Sequence, residues 1–211
     1  MWNEVQWIKI PDMELRDKQI LHGDLGGRFA YFRLEQELPT DARLTARITA
    51  VSRYRLWVND QAVLSGSCKG DLNRQYYETV SLTPYLHAGK NVFAVQVLYN
   101  DPDIARDQTD ERAAIYGVVG AGNCHALAID GDITDALGRV IGTISTGKAL
   151  WQVWLDHTFY LKSSEYTVYL GATEESVDAR RSPLEWKRLD FDASSWSLAC
   201  ASGPVMPSAL F

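Results

Sequence analysis

Little in this sequence would direct it to a metal, a membrane or a nucleic acid. It has only 3 cysteines and 4 histidines in 211 residues. Cys68, Cys124 and Cys200 lack metal-ligand spacing; they leave room for one disulfide, but three free thiols in a reducing compartment fit better. His22, His87, His125 and His157 are scattered and form no zinc motif. No segment approaches the run of about 20 apolar residues that crosses a membrane. The start, Met1-Trp-Asn-Glu-Val-Gln-Trp7, lacks the basic stretch and apolar run of a signal peptide, so with Met1 as the natural start a soluble cytoplasmic protein is expected. Positive charge is scarce: 21 Lys and Arg against 27 Asp and Glu leave a net charge of −6. That balance disfavours nucleic acid and anionic membrane as partners and leaves neutral ligands such as sugars open. Helical periodicity, internal repeats and low-complexity tracts are absent as well.

What the sequence does have is alternation. A hydrophobic content of 46% is enough to bury a core in one large β domain or two small ones. Residues 53–66 carry the clearest pattern. Tyr54, Leu56 and Val58 alternate with Arg53, Arg55 and Trp57, which is the period of a strand with one buried face. Asn59-Asp60 tolerates positive φ and predicts a tight reversal into a return strand ending at Ser65-Gly66. Before it, Leu44, Ala46, Ile48 and Ala50 alternate with Arg43, Thr45, Arg47 and Thr49, as in a sheet with one wet face. After it, Phe93, Val95, Val97 and Tyr99 share a face. Thr83-Pro84 predicts one short helical turn with Thr83 as its N-cap.

Further strands are expected at 29–38, 76–82, 114–119, 125–129, 140–145, 150–154 and 166–170, with a turn at Asp135–Gly138. Many short strands, regular turns and almost no helix predict an all-β antiparallel sandwich of the jelly-roll kind. Residues 1–27 read as an irregular segment packing on that sandwich, 28–170 as the sandwich, and 171–211 as an ordered tail or linker pinned by Trp186, Phe191 and Trp196.

Several segments resemble one known family. Tyr31-Phe-Arg-Leu-Glu-Gln-Glu-Leu-Pro39 and Tyr54-Arg-Leu-Trp-Val-Asn-Asp-Gln-Ala-Val63 are similar to strands of the galactose-binding-like sandwich found in many glycoside hydrolases. Asp60 stands where that family usually has glycine. Residues 77–95 resemble the segment that closes this sandwich. The tail resembles the end of the N-terminal region of bacterial α-L-rhamnosidases: Glu175 and Asp178-Ala-Arg180, then Trp186 and Asp190-Phe-Asp-Ala-Ser-Ser-Trp196, with Ala193 departing from the family's paired aspartates. The resemblance covers about residues 28–200. It implies a non-catalytic accessory domain, structural or carbohydrate-binding, cut from a longer enzyme whose catalytic barrel is missing here. A free-standing lectin-like module, and a small independent glycosidase using Glu174 or Asp178, are the alternatives.

No catalytic residue is assigned. Glycoside hydrolysis needs two opposed carboxyls, and the adjacent couples Asp110-Glu111 and Glu174-Glu175 point to opposite faces of an extended chain. There is no Gly-x-Ser-x-Gly elbow, and Gly120-Ala-Gly122 is not followed by a helix. Sugar sites combine an aromatic platform with carboxylate or amide groups. Trp57, Asp71, Asn73, Arg74 and Tyr76 are the candidates of that chemistry. Glu175, Asp178 and Arg180 are candidates for contact with the missing domain, Asp178 and Arg180 also for a structural ion pair. Related rhamnose-binding modules use calcium, and Asp101, Asp103 and Asp107 offer oxygens for it, so calcium is the one cofactor left open. The expected partners are rhamnose-containing carbohydrate and the missing catalytic domain. A second copy is also in view, because an apolar face left by that domain would drive self-association.

Overall fold

The alternation at residues 43–50 folds as a strand whose Leu44, Ala46, Ile48 and Ala50 are buried. In the computed structural model, which describes residue 2 and residues 4–11, 27–50, 53–67, 76–100, 127–163 and 173–205, fifteen strands follow one another. They are β1 Gln6–Lys9, β2 Gly27–Leu38, β3 Arg43–Ala50, β4 Tyr54–Val58 and β5 Gln61–Gly66. Next come β6 Glu78–Ser81, β7 Gly89–Asn100, β8 Leu127–Asp130, β9 Asp132–Thr134 and β10 Val140–Thr143. The last are β11 Gln152–Leu155, β12 Phe159–Ser163, β13 Thr173–Val177, β14 Ser197–Leu198 and β15 Cys200–Pro204. Helical structure among the described residues is limited to 3-10 turns at Thr83–Tyr85 and Ala179–Arg181, and no helix is long and apolar enough to cross a membrane.

The strands form an antiparallel sandwich. One sheet runs β10-β9-β3-β8-β1-β15 with β6 also on β3; the other runs β14-β11-β2-β7-β4-β5; β12 and β13 make a separate hairpin. The second sheet is built on β2 and β7, which pair along their full lengths from Gly27 with Asn100 to Leu38 with Gly89. Between the sheets lies the main core, with Phe32, Phe93, Ile48, Leu56 and Ile129 fully buried. Trp151 crosses it with its indole N–H satisfied by the Ile144 carbonyl at 2.9 Å. β8 and β9 are one course broken at Gly131, where a Cβ would lie 3.0 Å from Leu44 Cδ1.

The hairpin turn has Asn59 at φ 52 and Asp60 at φ 64, the left-handed pair that a two-residue turn between twisted strands requires. Asn59 does more than turn. Its amide donates to Tyr85 O (2.9 Å) and to Asn91 Oδ1 (2.8 Å), and its Oδ1 accepts from Val92 N at 2.8 Å. Asn91 is fully buried and donates to His87 O and Gly89 O, both at 2.8 Å, while its Oδ1 also accepts from His87 N. Both amides are therefore satisfied, and they lock the hairpin to the start of β7.

Three local readings change. Thr83 is not a cap: its hydroxyl accepts from Leu44 N at 2.9 Å and Leu82 takes the cap position without a side-chain bond, because the neighbouring strand offers Thr83 a partner that the single turn does not need. Gln6–Lys9, expected to be irregular, is a strand, paired with β15 from the expected tail. The tail thus adds an edge strand to each sheet, β14 to one and β15 to the other. The expected strands at 114–119 and 166–170 lie outside the described residues.

Replacing Asn91 by Leu should strand three backbone groups and the Asn59 amide at a part-buried site. We expect a loss of about 3 kcal/mol, at 1–3 kcal/mol per buried unsatisfied group with partial relaxation, read as a lower urea midpoint at unchanged m-value.

Candidate functional site

Each sheet has an outward face, and the two differ in chemistry. The outer face of the six-stranded sheet is aromatic and already covered. Residues 182–196 run across it as a strap, setting Trp186, Ala193 and Trp196 against Tyr31, Val92 and Ala94. Arg33 of β2 is the fixed point. Its side chain is fully buried beneath the strap, with Nε donating to Trp186 O at 3.1 Å and Nη2 to Arg188 O at 3.0 Å. Nη1 pairs with Glu35, which also binds Lys90 at 2.8 Å. Burial opposes ionisation of Glu35, but Lys90 and Arg33 outweigh it and hold the carboxyl below its ordinary range. Along the same face the Tyr31 hydroxyl donates to the buried Asp156 at 2.6 Å. Burial and that carboxylate push the Tyr31 phenol well above its usual range.

The outer face of the seven-stranded sheet is divided: Trp2, Val5, Trp7, Ala128 and Val205 form a buried apolar cluster over β1 and β8, and the part over β3 and β9 is polar and open. A cleft of about 720 Å³ lies on it, with Arg43, Thr45 and Arg47 of β3 as its floor. Thr79 of β6 flanks the floor on one side; Asp130, Asp132 and Thr134 flank it on the other. Glu4 and Lys148 form a wall and pair at 2.5 Å. Their hydrogen bond lowers the Glu4 carboxyl and raises the Lys148 amine. Arg47 faces Asp130 at 3.5 Å. The wall is rigidly placed: the fully buried Thr146 donates through its hydroxyl to Gln6 O at 2.6 Å, and its amide donates to Ile129 O at 2.9 Å. Gly147, at φ +85, allows the close approach, since a Cβ there would lie 2.9 Å from Gln6 Cβ. A second cleft, of about 440 Å³, opens at the strap's edge, but its Glu35 and Asp190 are already paired with Lys90 and Arg188.

The residues expected to bind sugar are not gathered by the described structure. Trp57 points outward from β4 as expected, yet Trp186 packs edge-on against it at 5.8 Å and Lys187 Nζ lies 4.9 Å from its ring centroid, so the strap holds it half-buried. Tyr76 is 43% exposed and precedes β6 beside the other sheet, its carbonyl accepting from the Thr49 hydroxyl of β3. Asp71, Asn73 and Arg74 lie outside the described residues, as do the calcium candidates Asp101, Asp103 and Asp107. Among the described residues no group of three His, Cys, Asp or Glu is placed to hold a metal. Asp178 and Arg180 form a two-bond ion pair, Nε and Nη2 each at 2.8 Å, and Asp178 caps the turn at Ala179–Arg181. Glu175 sits in β13 opposite Leu161 of β12. Sequence reasoning missed Arg33 and the acidic side of the cleft. The second had a signal in Ile129-Asp-Gly-Asp-Ile-Thr134, a strand-period alternation through a glycine.

No protein-family model matches this sequence, and no curated protein matches it. Solved structures do. A GH78 family rhamnosidase of Bacillus sp. GL1 matches 95% of this chain at TM-score 0.62 and 21% identity, over 18% of its own length. The α-L-rhamnosidase of Aspergillus terreus matches 96% at TM-score 0.65 and 18% identity, over 21% of its length. The chain has the fold of one part of the α-L-rhamnosidases. It spans about a fifth of each of these enzymes. A Pleurotus ostreatus lectin solved in complex with GalNAc matches 99% of the chain at TM-score 0.55 and 19% identity, over 48% of its length.

Two outcomes follow. Arg33→Leu leaves the Trp186 and Arg188 carbonyls without their donor. It should cost about 3 kcal/mol or more and raise protease cleavage within 182–196, while Arg33→Lys should retain part of the stability. Asp178 should titrate near pH 2 by carbon-detected NMR, held there by Arg180. Since its folded value lies below the unfolded value of about 3.9, the pair is complete above that value and lost as pH falls through 2; Arg180→Gln should move the titration up toward the ordinary range.

Proposed function

We propose that this chain is a non-catalytic, carbohydrate-binding accessory domain of an α-L-rhamnosidase-like glycoside hydrolase. The observation that carries the reading is the asymmetry of coverage: nearly all of this chain superposes on a fifth of each rhamnosidase. The lectin match supports sugar binding for such a sandwich, and it keeps a free-standing lectin-like module as the second reading. Three described carboxylates are already committed to other partners, which supports a non-catalytic role. Asp178 is held by Arg180, Asp156 by Tyr31 and Thr158, and Asp135 by the backbone of its own turn and Arg139. None of these is free to trade a proton with a glycosidic oxygen. We assign the open polar cleft as the seat of binding, with Asp71, Asn73, Arg74 and Tyr76 as the competing residues. Rhamnose-containing glycans are the ligands this reading favours, and the parent enzyme's catalytic domain is the partner.

The test is a titration of the isotope-labelled chain with a panel of neutral and acidic mono- and disaccharides including L-rhamnose, with and without calcium, beside a turnover assay on an aryl α-L-rhamnoside. Saturable binding with no turnover is expected. Turnover by this chain would overturn the non-catalytic reading, and no binding across the panel would overturn the carbohydrate reading.

A further inference from the structure

Among the described residues the cleft on the seven-stranded sheet is lined mainly by charged and hydroxyl side chains, with Val5, Leu44 and Gly131 beside them, and by no aromatic ring. That composition bears on its ligand. A neutral pyranose in water gains affinity mainly by stacking its apolar face on an aromatic side chain; its hydroxyls alone exchange one set of hydrogen bonds for another at small net gain. A carboxylate on a guanidinium fork forms charge-assisted, two-bond contacts of about twice the strength.

The charges in the cleft are not equally committed. Arg47 faces Asp130 at 3.5 Å and Lys148 pairs with Glu4 at 2.5 Å. Arg43 has no ion pair among the described residues, lies exposed at the end of the floor, and stands opposite Thr134 in the sheet register. Asp132 precedes Thr134 on the same face of β9, about 7 Å along the strand. The open part of the cleft therefore offers a cation at one end, hydroxyls beside it and a carboxylate beyond.

Building on the carbohydrate-binding reading, we infer that this cleft takes a saccharide bearing one carboxylate, a uronate-containing glycan. The acid sits on Arg43, and the ring hydroxyls are bound by Thr45, Thr134 and Asp132. Asp132 sets the polarity, since a second anion placed there would be repelled while a hydroxyl would donate to it.

The experiment compares glucuronic acid with glucose, a pair differing only in the acid, by amide chemical-shift titration of the whole chain at low and high salt. Glucuronate should bind at least about tenfold more tightly than glucose, as expected when one charge-assisted contact is added. It should shift the amides of Thr45, Thr79 and Thr134, and weaken with added salt. Arg43→Ala should bring the two affinities together, Arg43→Lys should restore part of the preference, and the denaturation midpoint should not move for either exposed substitution. Equal binding of both sugars, or shifts confined to residues 69–76, would overturn the acidic-ligand inference while leaving carbohydrate binding intact. Acetate matching glucuronate would overturn it too, as an anion site without sugar recognition. No binding of any saccharide would overturn both.

Discussion

A sheet that is apolar on both faces must be covered twice, and the six-stranded sheet is such a sheet. One face meets the seven-stranded sheet across the main core; the other carries Tyr31, Val92, Ala94, Trp57 and Trp154 and is closed by the strap at 182–196. The strap's position is specified by Arg33. A buried guanidinium costs several kcal/mol unless its donors are met, and here they are met by carbonyls that belong to the strap itself. Hydrophobic burial alone would let the aromatic segment slide. Directional donors from one fixed side chain select a single seating. Tyr31 and Asp156 repeat the arrangement further along the face, with Thr158 N and Oγ1 completing the carboxylate's shell at 2.7 and 2.5 Å.

The parts of the fold that could be read from sequence are those held by near neighbours. β3 shows its two faces by simple alternation, and Asn59-Asp60 announces its turn because few residue pairs accept two positive φ angles. β2 is harder. Phe29-Ala-Tyr-Phe-Arg-Leu is apolar on both faces with one arginine in it, and a charged residue in such a run reads as the wet side. Its solvent is replaced by a segment about 155 residues later, which no local period can announce. Trp57 follows the same logic: its outward direction was legible, its cover was not. The pairing of β1 with β15 joins opposite ends of the chain, and each strand is too short and too irregular to show a pattern alone.

The candidate cleft was half visible for a related reason. Arg43, Thr45 and Arg47 were legible as a wet face, but a wet face becomes a cleft only when something stands beside it. Here that is Glu4 with Lys148, brought together by Thr146 bridging β1 and β8. Of the two aromatic residues that sequence reasoning offers to a sugar, Trp57 is spent on the strap and Tyr76 stays exposed. The cleft over β3 and β9 offers charge and hydroxyl groups, a different chemistry from the stacking platform that composition brings to mind.

The short passage from β14 to β15 explains how these two outward faces hold together. β14 pairs with β11 in one sheet, β15 pairs with β1 in the other, and Ala199 alone separates them. Its amide donates to Trp151 O at 2.9 Å, and Trp151 is the buried indole that spans the core to Ile144. The chain that leaves the strap therefore crosses the sandwich in one residue and runs beside β1, whose Gln6 carries the bond that seats the cleft wall. Anything that displaces the strap pulls on β14 directly and on β15 through a single residue. The strapped face and the cleft wall are thus joined by continuous chain through Ala199 and by the bonds of Trp151 and Thr146.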